Sequence, residues 1–99
     1  MKYIITESRL NKFAWEWLNN NYSNLNVYSS AGWDSLIDEN IGKSVFAITP
    51  NKEVLQADDT IIDFLENGLN FNKSQISSLL LKWVNKTYGY NLERFYFHQ

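Results

Sequence analysis

Residues 44–56 read SVFAITPNKEVLQ. Two runs of apolar and β-branched residues, Val45 to Ile48 and Val54 to Gln56, flank Pro50, Asn51 and Lys52. Proline presets φ for the second position of a tight turn, and branched side chains suit a pleated strand. The stretch therefore predicts a β-hairpin. Val45, Phe46, Ala47 and Ile48 are apolar at every position, as in a strand covered on both faces. What lies on either side of this hairpin then sets the fold.

Towards the C-terminus, Asp58 or Asp59 can cap a short helix through Asn67, which Gly68 would end. Asn72 or Ser74 opens the next helix, and Gln75 stands three residues after Asn72 in a capping-box-like position. Ile76, Leu79, Leu80, Trp83 and Val84 form its apolar stripe, Gly89 breaks it, and a last strand follows. Strand alternation sends Phe95 and Phe97 towards the core, with Leu92, Arg94, Tyr96 and His98 on the other face.

Towards the N-terminus, residues 30–42 contain Gly32, Asp34 and Gly42 and read as a loop with one helical turn around 35–39. Residues 24–29 read as a strand. Before them, Leu10, Phe13, Ala14, Trp17 and Leu18 stand at offsets 0, 3, 4, 7 and 8, an amphipathic helix running to about Asn21. Thr6 offers its N-cap and residues 2–5 a short strand. The prediction is one α+β domain over residues 1–99. A small, mostly antiparallel sheet carries two amphipathic helices on one face, with a shorter helix near the hairpin.

The stripe from Ile76 to Val84 repeats that from Leu10 to Leu18 at a displacement of 66 residues. Each helix is followed by Asn (Asn19, Asn85), Tyr (Tyr22, Tyr88), a break and Asn-Leu. The units, about 10–28 and 76–96, are either an internal duplication or two helix-to-strand passages with the same local needs.

The chain of 99 residues, 44% apolar and 16% aromatic, suits a single core. A domain of this size buries roughly 65% of its unfolded surface. It holds no cysteine, so it has no disulfide framework and no thiolate nucleophile. Tyr3, Ile4 and Ile5 make too short an apolar run for a signal peptide or a membrane span. The sequons at Asn21, Asn72 and Asn85 then reflect heavy use of asparagine. These features predict a cytoplasmic protein without a membrane partner.

Two stretches, KYIITESRLNKF at 2–13 and LLLKWVNKTYGYNLERFYFH at 79–98, resemble small accessory proteins of tailed phages. Such proteins begin with an IITESQ-like stretch and end in a Trp-bearing helix, a Tyr-Gly break and a strand. Ser8-Arg9 departs from the usual Ser-Gln. The resemblance implies a phage accessory protein and no particular activity.

Catalytic signatures are missing from the sequence: it has no GxSxG, no glycine-rich phosphate loop and no histidine pair at metal spacing. His98, the one histidine, is penultimate, where side chains are poorly held. No enzyme activity and no cofactor are expected. Asp59, Asp63 and Glu66 fall at offsets 0, 4 and 7 on one helical face. Converging carboxylates suit Mg²⁺ or Ca²⁺, yet acids near a helix start are favoured by the macrodipole alone, so no metal is expected.

Trp15 lies off its helix's apolar stripe, with Asn19 and Tyr22 on the same side. An exposed Trp–Tyr pair would anchor a protein partner, helped by an acidic middle segment. Residues 34–66 carry a net −6 and the flanks a net +4. Trp15, Asn19, Tyr22, Asp59, Asp63 and Glu66 are the expected partner-binding set, and an inhibitor of a host factor is one form of that role. A homodimer through Trp15 and Leu81 is an alternative. A further one is weak nucleic-acid binding by Lys82, Lys86, Tyr88, Arg94 and Tyr96, where rings stack bases and cations meet phosphates. A formal charge of −2 argues against avid binding of that kind.

Overall fold

A computed structural model of the chain describes residues 7–97. In chain order these form α1 (Glu7–Tyr22), β1 (Asn26–Ser30), β2 (Trp33–Asp38), β3 (Lys43–Ile48) and β4 (Val54–Ala57). Then come α2 (Asp59–Asp63), a π-helical turn (Phe64–Gly68), α3 (Lys73–Tyr88) and β5 (Arg94–Phe95). The strands make one sheet in the order β1-β2-β3-β4-β5. β1 to β4 are an antiparallel meander and β5 lies parallel to β4. A parallel pair needs a long crossover, which α2 and α3 supply. The chain has the α+β architecture its sequence predicts. The expected strand at 2–5, the Thr6 cap and His98 lie outside the described residues.

The central hairpin forms as its sequence requires. Pro50 takes the second position of a turn that Lys52 N–H closes onto Thr49 C=O at 2.9 Å. Val45, Phe46 and Ile48 are buried and Ala47 half-buried. Phe46 and Ile48 face the helices, each continuing a cross-strand row. One row runs Val27–Leu36–Phe46–Ala57 and the other Asp34–Ile48–Leu55. The register shifts between Leu36 and Ile37, which leaves Val45 without a ladder partner. Such a bulge bends the strand locally.

Helix α3 is set by its stripe and its ends. Ile76, Leu79, Leu80, Trp83 and Val84 are all buried, and each large side chain of that kind contributes about 1.5–3 kcal/mol. Asn72 accepts from Gln75 N–H and the Gln75 side chain accepts from Asn72 N–H, both at 2.8 Å, completing the capping box. Gly89, at φ 77°, closes the helix in the left-handed conformation. Helix α2 starts where Asp58 accepts from Thr60 N–H at 3.1 Å.

Two expectations need correction. Residues 30–42 are not a loop with a helical turn: they contain the β1–β2 turn and all of β2. The turn is Ala31-Gly32, both with positive φ, 52° and 84°, which a two-residue hairpin of the right twist demands. Glycine is also needed there because a Cβ would stand 3.0 Å from Pro50 Cβ. Asp34 hid the alternation, since a carboxylate occupies an inward position of β2. Phe13, placed in the core stripe of α1, is 52% exposed. The stripe that packs is Ala14 and Leu18, with Leu10 and Trp17 at its margin.

The two helix-to-strand units occupy opposite edges of the sheet, β1 at one and β5 at the other. Their matching asparagines do different work. Asn85 pins its own chain, bonding Leu92 C=O at 3.1 Å and Leu92 N–H at 2.8 Å. Asn19 instead accepts the indole N–H of Trp83 across the α1–α3 seam at 2.8 Å.

Candidate partner-binding surface

Trp15 is half-buried between α1 and α3. With Asn11, Ser78, Leu79 and Lys82 it lines a cleft of about 410 Å³. Lys86 Nζ stands 5.8 Å from the centre of its ring, a distance at which a cation is attracted to the ring face. Asn19 is engaged by Trp83. Tyr22 packs inwards, edge-on to Trp17 at 5.5 Å and to Phe46 at 6.4 Å. Burial chiefly, with the nearby Asp58 and Asp38 carboxylates, raises its phenol pKa. Trp15, Asn19 and Tyr22 are therefore near one another but do not share one open aromatic face.

A different aromatic strip is open. Trp17 stacks on Phe64 with ring centres 4.1 Å apart and planes 21° from parallel. Phe13 lies one turn before Trp17 and is half-exposed. Phe64 begins the π-helical turn, which Leu69 N–H closes onto Phe64 C=O at 3.0 Å. That wider turn points Phe64 across at α1 while Leu65 stays in the core. Gly68 leaves room for the ring, because a Cβ there would meet Phe64 Cδ1 at 3.2 Å.

Asp59, Asp63 and Glu66 are exposed on the same short helical segment as Phe64. Asp63 accepts from Asn67 Nδ2 at 2.6 Å. The change from α to π geometry after Asp63 takes Glu66 off the line that α-helical spacing would give. Among the described residues no group of three or more His, Cys, Asp or Glu is placed to hold a metal ion. The strip and its acids offer ring faces and negative charge, which suit an arginine or lysine side chain.

The residues of the nucleic-acid alternative separate. Lys82 and Lys86 lie on α3, while Arg94 belongs to β5 and pairs with Glu53 at 3.1 Å. Tyr96 is 53% exposed. Tyr88 is turned inwards, its hydroxyl donating to Tyr22 C=O and accepting from Leu25 N–H. Phe95 and Phe97 are half-buried with ring centres 4.7 Å apart and pack against the core, whereas Leu92, assigned to the other face, is the residue of that segment buried in it.

Sequence reasoning missed Phe13 and Phe64. Phe13 carried a signal: at 100° per residue it lies about 120° from the Ala14–Leu18 direction, further round than Trp15. Phe64 carried none, because its aim depends on the π turn. No helix among the described residues is long and apolar enough to cross a membrane. No protein family, curated protein or solved structure matches this chain.

Proposed function

We propose that this chain is a non-enzymatic protein-binding module whose contact surface is the strip Phe13, Trp17 and Phe64, rimmed by Asp59, Asp63 and Glu66. The observation that carries this is the half-exposed Phe13, one turn from an indole already held flat by Phe64. Preordered aromatic rings lose little entropy on binding and are frequent interface anchors. On its Phe64 side the rim is acidic, through Asp59, Asp63 and Glu66, so the segment it takes from the partner is basic there, with an arginine or an apolar side chain over the strip. The resemblance of the chain's two ends to phage accessory proteins makes a host or viral protein the natural partner, and occlusion of that protein the natural effect.

The test is affinity capture from host lysate by wild type, Phe13→Ser and the double variant Asp59→Lys, Asp63→Lys. One stoichiometric partner, lost with Phe13→Ser and weakened tenfold or more by the charge reversal, is expected. A partner retained equally by all three proteins sinks this surface. Circular dichroism of each variant checks that the fold is intact.

A further inference from the structure

A second surface is the β1 edge of the sheet. All five residues of β1 are exposed. Val27 continues the inward row of Leu36 and Phe46, yet it is 46% exposed where those two are buried. The core layer thus runs out into solvent at β1. Tyr28, on the other face, is 51% exposed.

Natural sheets guard their edges with charges, prolines, bulges or very short strands. The opposite edge obeys this: β5 is two residues long and carries Arg94. β1 has none of these devices. Asn26, Val27, Tyr28, Ser29 and Ser30 include no charge and no proline, and they pair with β2 in unbroken register. Nothing among the described residues covers this edge.

Its hydrogen-bonding pattern fits one occupant. In a hairpin closed by a two-residue loop, the flanking pair Ser30–Trp33 is bonded, and bonded and unbonded pairs alternate from there. Asn26, Tyr28 and Ser30 therefore bond inwards to β2. The N–H and C=O groups of Val27 and Ser29 point outwards, two donors and two acceptors spaced evenly about Tyr28.

We infer that β1 pairs antiparallel with β1 of a second copy of this chain, about a two-fold axis at Tyr28, to make one continuous ten-stranded sheet. Val27 of each copy then exchanges both backbone bonds with Ser29 of the other, so all four outward groups are matched. An uncharged strand meets itself without like-charge repulsion. Glu39 accepts from Asn26 Nδ2 and from Tyr28 Oη, drawing that ring towards the Asn26 end. The axis carries the second Glu39 to the opposite end, so the two carboxylates do not meet. One strand pair is small beside the ~1,600 Å² of a standard interface, so the dimer forms with rising concentration rather than being permanent.

Sedimentation of the full chain across a wide concentration range tests this, read together with amide hydrogen exchange. The mass should climb from 11.7 kDa towards twice that value. The Val27 and Ser29 amides should become protected in step with it. Ser29→Pro removes an outward donor without touching the β2 ladder, and Val27→Lys sets like charges on either side of the axis. Each should weaken the dimer tenfold or more, and if Ser29→Pro fails to fold, Val27→Lys alone decides. A monomer at every concentration overturns the inference, and so does a dimer that survives Val27→Lys.

Discussion

Asn19 Oδ1 receives the indole N–H of Trp83 at 2.8 Å, joining the two long helices beneath their outer surface. Trp83 has no exposed surface, so its donor has no water to turn to. Asn19→Leu should cost about 1–3 kcal/mol, the penalty of an unsatisfied buried group. In a domain this small each kcal/mol moves Tm by roughly 4–8 °C. Trp83→Phe in the same background should add less than it does alone, because the donor is already orphaned. Urea unfolding of the four proteins checks both statements, and an unchanged midpoint for Asn19→Leu would remove the seam from the account.

Two glycines separate strain from crowding. Gly89, at φ 77°, has open space where a Cβ would go, whereas Gly32, at φ 84°, has Pro50 Cβ 3.0 Å away. Gly89→Ala should lose only the left-handed penalty, about 1–2 kcal/mol. Gly32→Ala bears the same penalty plus a forced shift of the Pro50 turn, and should melt lower. Equal melting temperatures for the two variants would show that the two turns are not in rigid contact.

Asp34 is the one polar residue buried among the inward rows. It accepts from Ser29 Oγ at 2.6 Å, from Tyr90 Oη at 2.7 Å and from Lys52 Nζ at 3.2 Å. The bonds from Ser29 and then Tyr90, with Lys52 behind them, hold its pKa below the ordinary 3.8 against the opposing effect of burial. The folded chain binds that proton more weakly than the unfolded one, so its stabilisation is present above 3.8 and fades as pH falls below it. Tyr90 behaves oppositely. Burial, and then Asp34 as acceptor and charge, push its pKa up from 10.0 to about 12. The folded chain holds this proton more tightly, so that contribution is intact below 10.0 and is lost between there and about 12. Asp34→Asn should flatten both limbs of a plot of Tm against pH. A variant profile parallel to wild type on both sides would refute the pairing.

Local chemistry made most of the fold legible. Pro50, the Asn72–Gln75 box, the Asp58 cap and Gly89 each act within a few residues of where they stand, and each does what its type and position imply. Residues 30–42 resisted because Asp34 stands inward only by virtue of Ser29, Tyr90 and Lys52, two of which are distant in sequence. Phe13 was misassigned because offsets of three and four admit residues on both margins of a stripe. Ala14 and Leu18, which are buried, fix the true direction. The aromatic strip was the least legible, since Phe64 reaches Trp17 through a π turn that no propensity announces. Trp15 reads as off the stripe, yet it packs half-buried against the core, beside Lys86, which stands 71 positions later in the chain.

The hydroxyl of Tyr88 serves two backbone groups of the α1–β1 junction, the Tyr22 carbonyl and the Leu25 amide. That junction is made early in synthesis, yet the atom that completes it lies 63 residues beyond Leu25. β5, which closes the other edge of the sheet, comes later still. A nascent chain not yet extended past β4 therefore has a helix exit with unpaired polar groups and a sheet with two open edges. Such a chain has little to hold as a partial fold, so helices and sheet should close together only once Tyr88 and β5 have been made.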